Sequence, residues 1–132
     1  MRFLDANVFI YQVTQSPKKD YEISGRILER VQSGEDVTTS LSVIQEVVKW
    51  FEYNNRRKEI SSFLKAINSY LTMSKIGVSW ETFLPSLEDM SNKQISFVDS
   101  RTLQIMKQNN INEIYSSDKD FDRVDWVKRI WE

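Results

Sequence analysis

Short apolar runs alternate with amphipathic segments along the chain. Residues at helical spacing predict helices over about 7–12, 21–31, 40–53 (capped by Ser40 or Ser42), 56–73, 80–90 and 96–108. Brief apolar or β-branched runs between them predict strands over 2–5, 36–39, 76–78, 114–116 and 127–131. Alternation of this kind favours a mostly parallel sheet flanked by helices, an α/β fold.

The composition fits one domain over residues 1–132. Of the 132 residues, 40% are hydrophobic and 12% aromatic, which suffices for a core, and no linker or repeat interrupts them. No apolar run approaches the roughly 20 residues of a membrane span, and the first residues lack the pattern of a signal peptide. We therefore expect no membrane association and a cytoplasmic location.

Histidine and cysteine are both absent. Their absence excludes disulfides, Ser-His-Asp and Cys-His catalysis, and zinc sites that use imidazole or thiolate. An enzyme with this composition has only oxygen ligands for a metal, and oxygen ligands suit hard cations such as Mg²⁺ or Mn²⁺.

An acid interrupts the first apolar run. Asp5 follows Phe3 and Leu4, and the apolar run resumes at Val8. Functional groups in parallel sheets gather beyond the carboxyl ends of the strands, where Asp5 is predicted to lie. An unpaired charge at this position costs several kcal/mol, roughly, so it needs compensation.

Two further acids lie on predicted helices. Glu46 borders the apolar stripe of Val43, Val47 and Trp50, and the structural alternative is a glutamate that reaches solvent at the edge of that stripe. Asp99 is predicted to point into the apolar side of its helix. Its alternative role is that of a first-turn acid, in a capping box begun by Ser96.

A fourth group of acids follows the predicted strand 114–116. It comprises Asp118, Asp120, Asp122 and Asp125, in the segment YSSDKDFDRVD. The segment lacks the glycine and distal glutamate of an EF-hand, so a calcium loop is excluded, while an aspartate-rich turn remains the structural alternative. We expect Asp5, Glu46, Asp99 and Asp118 to converge at one sheet edge, where only a cation would offset their repulsion.

These motifs together resemble the PIN domain family, whose single-domain members include toxins of the VapC type. FLDANVFIY resembles the opening strand of the family, and Asp5 takes its first acidic position. SLSVIQEVVKW and ISFVDSRTLQIMKQNNI resemble the second and third motifs, with Glu46 and Asp99 at their acids. IYSSDKDFDRV resembles the last motif, with Ser116 and Asp118 at its hydroxyl and acid.

Two departures from the family pattern lie within these motifs. Ala6 replaces a residue that commonly carries a hydroxyl, and Asp120 and Asp122 are additional acids near the variable fourth position. The resemblance implies a three-layer α/β/α (Rossmann-like) fold and a Mg²⁺- or Mn²⁺-dependent endoribonuclease that uses one or two ions. It also implies an antitoxin partner and a homodimer.

The resemblance assigns the four acids, Asp5, Glu46, Asp99 and Asp118, to metal binding and RNA hydrolysis. Asn7 and Ser116 are expected to orient ligands or water around the metal. Basic residues near the site are candidates for contacts with the RNA backbone: Arg56, Arg57, Lys119 and Arg123.

Two other functions remain open from the sequence. The first is a PIN-like module that binds RNA or acts as a scaffold without catalysis or a toxin role. The second is a phosphatase of the haloacid dehalogenase type, which requires a second aspartate where this chain has Asn7.

Overall fold

A five-stranded parallel sheet forms the centre of the molecule in a computed structural model that describes all 132 residues. Its strands are β1 (Arg2–Leu4), β2 (Val37–Ser40), β3 (Met73–Ile76), β4 (Glu113–Tyr115) and β5 (Lys128–Ile130). The order across the sheet is β3-β2-β1-β4-β5, and every pair is parallel. The predicted α/β class and its parallel sheet are confirmed.

Six α-helices connect the strands. They are α1 (Ala6–Thr14), α2 (Lys18–Gln32), α3 (Leu41–Tyr53), α4 (Ile60–Ser69), α5 (Trp80–Lys93) and α6 (Phe97–Gln108). The chain moves outward from β1 through β2 to β3 and then returns past β1 to β4. With right-handed crossovers, α1–α4 cover one face of the sheet and α5 and α6 cover the other. No helix combines the length and apolar character needed to cross a membrane.

The return of the chain creates a switch point between β1 and β4, the usual position of ligand sites in open parallel sheets. Both strands lie in the core, since Phe3, Leu4, Ile114 and Tyr115 are fully buried. Burial on both faces explains why these strands are continuous apolar runs rather than alternating ones. The groups that follow β1 and β4 are therefore held by a rigid centre.

The prediction of one long helix over 56–73 was wrong. A 3₁₀ turn (Arg57–Glu59) precedes the shorter α4, and β3 begins at Met73 rather than at residue 76. Met73 and Ile76 pair in parallel with β2, so pairing across the sheet outweighs the apparent helical periodicity. Leu71, which seemed to continue the apolar stripe, is 97% exposed.

Candidate active site

Asp5 joins the end of β1 to the start of α1. It is 8% exposed and caps the helix, since its Oδ1 accepts from the Ala6 backbone amide at 2.9 Å. Its Oδ2 accepts from Ser116 Oγ at 2.6 Å and from Asn7 Nδ2 at 3.3 Å. Burial raises the pKa of Asp5, and the charge of Asp118 raises it further against the opposing effect of these hydrogen bonds.

Ser116 links both sides of the switch point. The residue is fully buried, and its Oγ accepts from the Asp118 amide at 3.0 Å and from Asn7 Nδ2 at 3.2 Å. Asn7 Oδ1 in turn accepts from the Ser117 amide at 3.2 Å. These bonds fasten the segment after β4 to the N-terminus of α1. Asn7 and Ser116 therefore hold Asp5 and Asp118 in place, the arrangement expected of residues that orient metal ligands.

Three half-buried acids form a cluster at this sheet edge. One carboxylate oxygen from each of Asp99, Asp118 and Asp120 lies within 4.8 Å of the others. Asp118 Oδ1 accepts from the Asp120 amide at 2.9 Å, which caps the following 3₁₀ turn (Lys119–Arg123). The cluster therefore takes one acid from α6 and two from the segment after β4.

Asp99 titrates well above the ordinary range of an aspartate. Burial first, then the charges of Asp118 and Asp5 and a hydrogen bond shared with Asp118, raise the pKa of Asp99 to about 8. The Ser96 cap is also present, because the Asp99 backbone amide donates to Ser96 Oγ at 3.1 Å. Asp99 thus fills both roles that the sequence allowed: its amide completes a cap while its carboxylate enters the acid cluster.

Glu46 lies on α3 at the exposed rim of the site, outside the three-acid cluster. Desolvation around its carboxylate raises the pKa of Glu46, the charge of Asp5 raises it further, and Arg101 opposes both effects. Glu46 therefore faces the same region as Asp5, as predicted, but from a more open position.

The remaining acids of the fourth motif point elsewhere or have partners. Asp122 is exposed, is not part of the cluster, and accepts two hydrogen bonds from Arg129, at 3.0 and 3.1 Å. Asp120 belongs to the cluster and also lies 3.4 Å from Arg123. Between the two additional acids named from the sequence, the geometry favours Asp120.

The predicted RNA-contacting cations differ in their availability. Arg56 pairs with Glu59 and lies over the Trp50 ring, with 5.8 Å between guanidinium carbon and ring centroid. Arg123 donates to the Gln94 carbonyl at 2.9 Å. Arg57 and Lys119 are exposed and form no ion pair within 4 Å. These two remain the more accessible of the four cations.

The donor set fits a hard divalent cation. Asp5, Glu46, Asp99 and Asp118 have no basic group within 4 Å. The first three have raised pKa values, so the site resists negative charge unless a cation is bound. Carboxylate oxygens at these spacings are ligands that Mg²⁺ and Mn²⁺ accept.

Removal of one hydroxyl tests how the site is held. We expect Ser116→Ala to lower the free energy of unfolding by about 1–3 kcal/mol, because buried partners lose their hydrogen bond. Mn²⁺ affinity should fall about 10–100-fold, since Asp5 and Asp118 lose their shared anchor. Urea unfolding and calorimetric Mn²⁺ titration measure the two effects. Ser117→Ala is the matched control, and equal Mn²⁺ affinity in the two variants would contradict the role given to Ser116.

Solved structures with the same fold include several toxin–antitoxin proteins. The Mycobacterium tuberculosis toxin VapC20, described as cleaving the sarcin-ricin loop, is 18% identical with a TM-score of 0.78, over 96% of this chain and 97% of that chain. A chain of Rickettsia felis VapBC2, bound to a DNA fragment from its promoter, is 16% identical with a TM-score of 0.74, over 99% and 98%. A toxin–antitoxin complex from Klebsiella pneumoniae is 15% identical with a TM-score of 0.67, over 97% of this chain and 96% of that chain.

These identities are low, so the similarities establish the shared fold. Comparison with curated protein sequences gives no match. The PIN domain family model, in contrast, matches residues 2–127, nearly the whole chain, and includes all four predicted acids. This chain therefore belongs to the PIN domain family.

Proposed function

We propose that this protein is a Mg²⁺- or Mn²⁺-dependent endoribonuclease, formed by a single PIN domain over residues 1–132, and the toxin of a toxin–antitoxin pair. One observation carries the proposal: Asp5, Asp99 and Asp118 lie together beyond β1 and β4 with no basic side chain within 4 Å, while the charge of Arg101 acts only on Glu46 at the rim. Such an arrangement destabilises the metal-free protein, and its use in catalysis explains why the sequence retains it.

We assign the ion to Asp99, Asp118 and Asp120, with Asp5 beside them and Glu46 at the rim. A bound divalent cation would lower the pKa of a coordinated water and offset charge on the phosphoryl oxygens. Ser116 and Asn7 keep the Asp5 and Asp118 carboxylates in fixed orientations. No protein side chain is required as a nucleophile.

RNA is the substrate that the known relatives support. The M. tuberculosis neighbour is described as a toxin that cleaves the sarcin-ricin loop, and it aligns with 96% of this chain. Accessible Arg57 and Lys119 supply positive charge for the flanking phosphates. The acid site accepts the scissile phosphate only after a cation reverses the local charge.

Protein partners follow from the same proposal. Two of the structural neighbours are described as toxin–antitoxin assemblies, which supports an antitoxin for this chain. Trp80, Leu84 and Leu87 lie at helical spacing on α5 and form an apolar stripe. They are 68%, 54% and 48% exposed. We assign this surface to a homodimer, and the molar mass in solution at several protein concentrations tests that assignment.

An RNA cleavage assay with two aspartate variants tests the catalytic assignment. We expect Asp118→Asn to lose Mn²⁺-dependent cleavage, because Asp118 contributes to the cluster and contacts Asp5 electrostatically. We expect Asp122→Asn to retain it, because Asp122 is not part of the cluster and pairs with Arg129 instead. Initial rates on labelled RNA measure both. Loss in Asp122→Asn with retention in Asp118→Asn would reverse the assignment.

A further inference from the structure

A cavity of about 280 Å³ opens beside the acid site, between α3 and α6. One face of α3 and two residues of α6 line it: Ser42, Gln45, Glu46, Lys49, Val98 and Arg101. Glu46 belongs to both the cavity and the acid site, because its carboxylate also feels the charge of Asp5. An RNA strand that enters the acid site past Glu46 would therefore extend into this cavity.

Arg101 forms no close ion pair, although its charge lowers the pKa of Glu46 across the same cavity. Its Nε is buried and has no hydrogen-bond acceptor, and no carboxylate lies within 4 Å of its guanidinium. The guanidinium carbon lies 5.8 Å from the centroid of the Phe83 ring, so the aromatic face restricts the side chain. A buried donor without an acceptor is uncommon in folded proteins, and the Nε–H of Arg101 is free to donate to a group that enters the cavity.

Lys49 adds a second free cation at the mouth of the same cavity. It is exposed and forms no ion pair within 4 Å. Arg101 presents a planar fork that matches two phosphate oxygens, while Lys49 supplies a mobile point charge. By contrast, two of the cations predicted from the sequence, Arg56 and Arg123, already contact protein acceptors.

We propose that Arg101 and Lys49 bind the RNA phosphate next to the scissile one, in the cavity between α3 and α6. This inference rests on the proposed ribonuclease function and assigns a binding subsite to it. The subsite contacts a phosphate that does not react, so it acts on substrate binding and position rather than on the bond that breaks.

The role in binding determines the kinetic effect. An interaction made equally in the ground state and the transition state raises KM when it is lost and leaves kcat nearly unchanged. We expect Arg101→Gln to raise KM at least about tenfold, the usual effect of losing a charged hydrogen bond. Arg101→Lys should restore part of the affinity, because it keeps the charge but not the planar fork.

Binding of a short single-stranded RNA of mixed sequence, in EDTA and over a series of KCl concentrations, provides a readout that needs no catalysis. The logarithm of the RNA association constant falls linearly with the logarithm of the salt concentration. Each lost phosphate contact should reduce the magnitude of this slope by about 0.7 for a single strand. We expect a reduction of about 0.7 for Arg101→Gln or Lys49→Gln, and of about 1.4 for the double variant. Lys107 lies on α6, as Arg101 does, but its ammonium group is over the Trp126 ring and does not line the cavity. Lys107→Gln should therefore leave the slope unchanged.

The outcomes separate this inference from the function on which it rests. If the wild-type protein cleaves RNA with Mn²⁺ but Arg101→Gln and Lys49→Gln keep its salt slope and KM, the subsite is wrong and the ribonuclease assignment stands. A loss confined to kcat in Arg101→Gln also overturns the subsite, because it would place Arg101 at the scissile phosphate. If the wild-type protein neither binds nor cleaves RNA, both proposals fail. Lys49 is exposed, so its variant tests the subsite even if Arg101→Gln unfolds.

Discussion

Asp99→Asn is expected to raise the melting temperature of the metal-free protein near neutral pH, while it abolishes stabilisation by Mn²⁺. With a pKa of about 8, the folded-state Asp99 carboxyl holds a proton at pH 7 that the unfolded chain releases. That difference is a cost to folding, and a neutral amide of the same shape removes it. For a domain of this size, each kcal/mol recovered raises Tm by about 3–5 °C.

Thermal unfolding in EDTA and in Mn²⁺ measures both parts of this prediction. Asp125→Asn is the matched control, because Asp125 is exposed in the same acidic segment and has no ion pair. Its Tm should change little, as for most surface substitutions. A metal-free Asp99→Asn protein that melts below the wild type would show that the acid cluster is not under electrostatic strain.

Asp5→Asn is expected to give a smaller gain than Asp99→Asn. Burial raises the pKa of Asp5 as well, so neutralisation again removes a cost. Asp5 also accepts hydrogen bonds from Ala6, Asn7 and Ser116, however, and an amide has one acceptor oxygen where the carboxylate has two. Loss of part of this network offsets the electrostatic gain.

Metal should stabilise the protein more at high pH than at low pH. Because the pKa of Asp99 is raised in the folded state, its carboxyl lowers the stability of the fold at high pH. This loss of stability is absent below the unfolded pKa of about 4, grows as pH rises, and is complete above about 8. We therefore expect the Tm of the metal-free protein to fall between pH 5 and pH 8. Mn²⁺ should remove this decline, because protons and the cation compete for the same carboxylates.

The size of the Tm increase caused by Mn²⁺ follows from preferential binding of the ion to the folded state. At about 100 times its dissociation constant, a ligand adds about 2.7 kcal/mol, which corresponds to a Tm increase of roughly 8 °C or more at this chain length. We expect this increase near pH 8 and a smaller one near pH 5. Scanning calorimetry across the pH series, with and without Mn²⁺, measures it. Equal Mn²⁺ shifts at both ends of the series would show that Asp99 is not a ligand.

Much of the fold was predictable because its central strands are buried on both faces. Phe3, Leu4 and Ile114 form apolar runs that only an interior strand explains, and the interruption at Asp5 marks the strand end. The error over 56–73 arose where local periodicity and sheet pairing disagree. Leu71 fits a helical stripe by spacing, but the parallel ladder between β2 and β3 requires the chain to leave the helix before Met73.

The site was predictable in its acids and less so in its arrangement. The acids that follow β1 and β4 could be predicted to lie close together, because the topology of a parallel sheet brings these strand ends to the same edge. The sequence did not show that Asp120 rather than Asp122 joins the cluster, because the turn after Asp118 decides which side chain faces inward. Arg101 was also missed. Its signal, a cation two residues after Asp99, acquires meaning only once its Nε is known to be buried and unpaired.

The most direct test of the central claim is RNA cleavage by equal preparations of the wild type and Asp99→Asn, with Mn²⁺ and with EDTA. The metal-site account predicts cleavage by the wild type in Mn²⁺, none in EDTA, and none by Asp99→Asn in either buffer. Asp125→Asn should cleave like the wild type. Equal Mn²⁺-dependent cleavage by the wild type and Asp99→Asn would contradict the account.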